Sequence, residues 1–144
     1  METNFKRYLL NQPEKLLSMV LCLVALHSFL MGLIMVAQPS LIMKLAGFSP
    51  ECERFFPAQG GVFHILMALA YLMGAVDVEK YYYIIVFSIV VKSVATVFLL
   101  VYCFTVEFKW IILLSGIGDG LMGLMIFLSL LYSNYSKLGK HNKH

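Results

Sequence analysis

The chain has 144 residues, enough for one domain, with 60% hydrophobic and 13% charged residues. Soluble domains lie nearer one half and one quarter, so this composition excludes an ordinary water-solvated core and makes lipid the expected solvent for most of the chain. A net charge of +3, with the basic residues toward the ends and not interleaved with aromatics, gives no footing for nucleic-acid binding.

In chain order, residues 1–15 read as a cytoplasmic N-terminal segment carrying Lys6, Arg7 and Lys15. The first apolar run, 16–37, "LLSMVLCLVALHSFLMGLIMVA", follows Pro13 and closes at Gln38-Pro39. It exceeds the apolar length of a signal peptide and no small-residue cleavage site follows, so it reads as a retained anchor. The loop 38–56 contains "PSLIMKLAGF", which reads as a short interfacial helix. Ser40 would cap it, Leu41, Ile42 and Leu45 would face lipid, Lys44 would face out, and Gly47 would end it. An ordered loop is the competing reading.

The second run, 57–76, opens on Pro57, a residue that the first helical turn tolerates. A polar turn at 77–80 leads into the third run, 83–103, and a turn at 105–108 leads into the fourth, 109–132. Both turns are short enough to require antiparallel neighbours. Each run can cross the roughly 30 Å of a bilayer core as a helix. The fold expected is therefore an all-α antiparallel four-helix transmembrane bundle over 16–133, with a polar, disordered cytoplasmic tail over 134–144. Lys6, Arg7, Lys15, Lys80, Lys137, Lys140 and Lys143 would share one side, against Lys44, Arg54 and Lys109 on the other. The bias toward cytoplasmic Lys and Arg then puts both termini in the cytoplasm. Tyr81–Tyr83, Trp110, Tyr132 and Tyr135 fall near span ends, where amphipathic rings belong.

Each span carries one ionisable side chain expected to be buried: His27, His64, Lys92 and Asp119. A central Lys or Asp costs about 2.5–3.5 kcal/mol to insert, which the Ile, Val, Leu and Phe of span three offset. Insertion still demands that Lys92 face protein or water. Lys92 stands 14 residues before Val106 and Asp119 stands 13 after it. At 1.5 Å per residue both lie about 20 Å from the turn, at one depth, so they are expected to pair. Ser88, Lys92 and Thr96 recur at four-residue spacing as a polar stripe, and Ser115, Gly116, Asp119 and Gly123 share a face of span four. Gly116 and Gly120 form a GxxxG; with Gly60, Gly61 and Gly123 they are the expected close-packing positions. His64 shares a face with Gly60, Ala68, Tyr71 and Ala75.

Three uses of this intramembrane polar set, Lys92, Asp119, His64, His27, Ser88, Thr96 and Ser115, follow from the chemistry. It can be a structural clasp, a proton or ion relay, or a polar anchor for the head group of a lipophilic ligand. Two histidines with Asp119 could reach a metal, but the spacing does not demand one, and no metal or cofactor is expected. Cys22 and Cys103 sit in apolar runs as small hydrophobes. Cys52, between Glu51 and Glu53, would be a poor nucleophile. His141 and His144 in the tail offer at most weak metal ligation. No GxSxG, HExxH, P-loop or dinucleotide fingerprint is present, and "GIGDG" lies within a span and follows no strand.

Three segments, "MVAQPSLIMKLAGFSPECERFF", "QGGVFHILMALAYLMGA" and "GIGDGLMGLMIF", together with the span spacing, resemble the small four-helix membrane proteins grouped as DoxX-like. The resemblance covers most of the chain. It implies the same four-helix fold. Because some of the wider group are similar to subunits of quinone-linked sulfur-oxidising complexes, it also implies a subunit or quinol-site role. It supplies no set of catalytic residues. The function expected is a non-enzymatic accessory or lipophilic-ligand-binding subunit in the lipid bilayer, alone or in a larger membrane complex. The alternatives are a quinone-linked redox subunit with His64, Lys92 and Asp119 lining its site, and a proton-coupled carrier working as a homodimer.

Overall fold

A computed structural model describes residues 12–48 and 54–141. Five helices follow one another: α1 Pro13–Ala37, α2 Ser40–Leu45, α3 Phe55–Val76, α4 Tyr82–Thr105 and α5 Trp110–His141. Cys52 with its flanking glutamates, Lys6, Arg7, Lys143 and His144 lie outside the described residues.

Local chemistry sets the helix ends. Pro13 starts α1, where its missing N–H would have no partner in any case. At the other end Gln38 adopts the left-handed conformation and donates its N–H to the Ile34 carbonyl. The Gln38 Nε2 then reaches the Arg54 carbonyl at 2.8 Å, closing the loop between α1 and α3. Within that loop α2 forms as a single short helix. Ser40 does not cap it: Pro39 holds the cap position and Ser40 is the first helical residue, without a side-chain cap bond. Leu41, Ile42 and Leu45 are exposed. Gly47, at φ 82°, ends the helix in the left-handed turn for which glycine is suited. Asp77 Oδ1 accepts the Lys80 N–H at 2.9 Å and fixes the α3–α4 turn. Glu107 pairs with Lys109 at 3.1 Å in the α4–α5 turn. Lys109 Nζ also lies 4.4 Å from the Phe48 ring centre, tying that turn to the long loop at the same end of the bundle.

The four long helices form a ring. α1 packs most extensively on α3 and α4 on α5, while thinner α1–α5 and α3–α4 contacts close the circle. The core runs along the inner stripe of α1, with Leu17, Leu21 and Val24 against Tyr71, Ile85 and Ile126. The outside is apolar all round: Leu26 is 55%, Phe63 60%, Val97 63% and Leu121 57% exposed. A soluble monomer does not present so continuous an apolar surface. All four long helices have the length and hydropathy to cross a membrane.

The expected helices extend slightly at their ends, and α5 more than that. It continues to His141, through a stretch expected to be disordered. Residues 134–141 contain no proline, and the single glycine there, Gly139, does not interrupt the helix.

Candidate intramembrane polar site

Lys92 and Asp119 meet inside the bundle. The Lys92 ammonium donates to Asp119 Oδ1, and the two side chains are 3% and 10% exposed. Two helices that share a hairpin and a depth have delivered the pair, and the small residues of α5 let them close on it. A Cβ built on Gly123 would lie 3.1 Å from the Lys92 Cβ; on Gly120 it would lie 3.2 Å from Thr96 Cγ2, and on Gly116 3.2 Å from Leu100. The glycine face of α5 is thus filled by α4, with the lysine stem among the contacts. A charge taken out of water costs several kcal/mol unless it is paired. Here each charge is the other's compensation.

The remaining hydroxyls of the polar stripe do not join the pair. Ser88 Oγ donates to the Ile84 carbonyl at 2.8 Å and Thr96 Oγ1 to the Lys92 carbonyl at 2.7 Å, each one turn back on its own helix. Ser115 is half-buried on α5.

Both histidines lie within electrostatic reach of Lys92 and Asp119, and they differ in burial. His64 is half-buried on α3. His27, expected to be buried, is exposed on a flank of α1. The cause is helical phase: Leu17, Leu21, Val24 and Ser28 define the inward stripe, and one residue's step of about 100° turns His27 off it. Among the described residues no group of three His, Cys, Asp or Glu side chains is placed to hold a metal ion.

One neighbour of the pair, Tyr71, and a buried serine beside it were not anticipated. Lys92 Nζ stands 5.8 Å from the centre of the Tyr71 ring, itself only 1% exposed. This is cation–π range. Ser28 is equally buried; its Oγ has no partner in hydrogen-bonding geometry, although the Tyr71 phenol is close enough to interact with it. Tyr71 shares the His64 face of span two, but nothing in depth counting joins it to Lys92. The contact depends on how far two long side chains extend along the bundle. A serine in an apolar run carries no distinguishing signal.

The α1–α3 seam is closer still. A Cβ on Gly32 would fall 2.7 Å from the Gly61 carbonyl oxygen, and one on Gly61 would fall 2.7 Å from that of Gly32. Gly61 was among the expected packing glycines and Gly32 was not. Gly60 lies against the Met35 methyl. Farther along the seam Ser18 Oγ donates to the Ala75 carbonyl at 2.6 Å.

On the outer surface, α4 and α5 leave a groove of about 470 Å³ lined by Ile89, Ser93, Thr96, Val97, Gly120, Gly123, Leu124 and Phe127. Gly120 and Gly123 border it, and the Lys92 stem packs against Gly123. Ser93 spends its hydroxyl on the Ile89 carbonyl, which leaves the groove an apolar surface. The pair faces the bundle interior, and the groove faces outward.

No family model, curated protein or solved structure matches this chain. The likeness to DoxX-like proteins accordingly rests on the three sequence segments alone.

Proposed function

We propose that this is a multi-pass membrane protein without catalysis of its own, an accessory subunit that offers the α4–α5 groove to an apolar ligand of the bilayer. Both termini lie in the cytoplasm in this reading, as the Lys and Arg distribution requires. The observation that carries it is the closure of Lys92 on Asp119: the two most reactive groups in the membrane interior are spent on each other. They brace the two helices that form the groove. What the groove presents is apolar surface and small residues, suited to a lipid tail or another hydrocarbon chain.

The test is the thermal stability of purified protein with and without a native lipid extract. Ser93→Trp would fill the groove from its exposed rim. Its melting temperature should match the parent, and the stabilising response to extract should disappear. A response that survives Ser93→Trp removes the groove as the ligand site.

A second reading draws on Tyr71 and half-buried His64 beside the pair. A quinone-linked redox subunit or a proton-coupled carrier would use those groups. It predicts that Lys92→Met with Asp119→Asn abolishes the response to extract, whereas the groove reading predicts that the double variant keeps it.

A further inference from the structure

The ionisable side chains of the spans mark one level of the bundle. His27, His64 and Asp119 stand 10, 9 and 9 residues from the ends of α1, α3 and α5 that lie toward α2, so about 14–15 Å deep. Lys92 starts deeper on α4 and reaches this level through its contact with Asp119. Each histidine is within electrostatic reach of both charges, and His64 is within reach of His27 as well. Every span thus gives one ionisable group to a single polar tier.

The bundle is packed differently on the two sides of that tier. Toward the α3–α4 turn, Leu17, Leu21, Tyr71, Ile85 and Ile126 form one apolar cluster, and none of them is more than 1% exposed. A core packed to that density leaves no path for water. Toward α2, Cys103 is the one buried hydrophobic side chain of the four spans among the described residues. The other buried positions there are Ser28, Gly32, Gly61 and Gly116. Met35, Leu99 and Ile112 continue the inward stripes of α1, α4 and α5, yet all three are only half-buried. The short helix α2 buries none of its residues and does not plug this end. Ser28 Oγ, beside His27 and on the inward stripe, has no partner in hydrogen-bonding geometry, and ordered water satisfies such groups. Ionisable side chains at membrane depth face protein or a water-filled cavity.

We propose that the α2 half of the bundle is a water-filled vestibule, through which His64 and Asp119 exchange protons with the α2 side of the membrane alone. The apolar cluster shuts the tier off from the opposite side. The vestibule lies inside the bundle and is separate from the outer α4–α5 groove, so neither depends on the other.

The test is thiol accessibility in sealed membrane vesicles of both orientations. It uses the full-length chain in a Cys22→Ala, Cys52→Ala, Cys103→Ala background, with Lys44→Cys identifying the orientation. Met35→Cys, Leu99→Cys and Ile112→Cys should react with a charged, membrane-impermeant methanethiosulfonate only where the Lys44 side is presented. Leu21→Cys, Ile85→Cys and Ile126→Cys should react from neither side. Val97→Cys, exposed on the outer face of α4, should also stay silent, because a charged reagent does not enter hydrocarbon. Proton exchange is read at Ser115→Cys, four residues from Asp119. The thiolate is the reacting species, so its rate should rise about tenfold per pH unit below the thiol pKa. That rate should follow the pH of the Lys44-side buffer and ignore the other compartment. No reaction at the three vestibule positions from either face, equal reaction at Val97→Cys, reaction in the apolar cluster, or a rate that follows the opposite compartment would each overturn the proposal.

Discussion

At the scale of single residues, the Lys92–Asp119 pair sets the behaviour of the interior. Removing one partner of a buried pair leaves an uncompensated charge, and the cost is about 3–5 kcal/mol; replacing both with apolar or neutral groups of similar volume is often near neutral. Lys92→Met and Asp119→Asn should each lower the melting temperature of the membrane-inserted protein sharply, and the double variant should recover most of the loss. Equal destabilisation by the double and either single would show that each charge has a further partner. Tyr71 is the candidate for Lys92, since its ring is within cation–π distance. The pair itself could be read from counting alone, because two residues equidistant from one tight turn must share a depth. Tyr71 and Ser28 could not be read this way. The approach of Tyr71 to Lys92 and of Ser28 to Tyr71 depends on side-chain direction and on the packing of α1 and α3.

Among the elements, glycines divide by what a methyl group would meet. At Gly61 it would meet a backbone oxygen of the opposing helix at 2.7 Å, which no side-chain rotation relieves. Gly61→Ala should force α1 and α3 apart and cost about 1–3 kcal/mol. At Gly118 nothing lies within 4 Å, and alanine is the better helix former by about 1 kcal/mol. Gly118→Ala should be neutral or stabilising. Thermal melts of the two variants, side by side, check the contrast. A GxxxG motif points to Gly116 and Gly120, whose neighbours are Leu100 and Thr96 side chains that can adjust. The tightest backbone approach involves Gly32, which stands in no such motif. Sequence spacing marks where a helix is smooth, and only the partner helix decides which smooth patch is used. The same limit applies to α2, where Pro39 took the cap position expected of Ser40 because its φ is already set for the turn.

For the whole molecule, four consecutive crossings require the N-terminal segment and the α3–α4 turn to share one side of the membrane, with the α1–α3 loop and the α4–α5 turn on the other. A membrane-impermeant thiol reagent tests this on single-cysteine variants. Lys44→Cys should label from the extracytoplasmic face and Lys80→Cys only once the membrane is opened. Labelling of both from one face would break the four-span topology. The sequence by itself determined the four long helices, their boundaries to within a few residues except at the end of α5, their antiparallel order and the shared depth of Lys92 and Asp119. Each of these follows from run length, turn length and rise per residue, which are local or additive quantities. The tertiary structure alone decided the order of the ring, the Gly32–Gly61 contact, the place of Tyr71 over Lys92 and the exposure of His27. In a membrane span both faces of a helix are apolar, so hydrophobicity does not say which face turns inward. That choice rests on how side-chain shapes fit between helices distant in sequence.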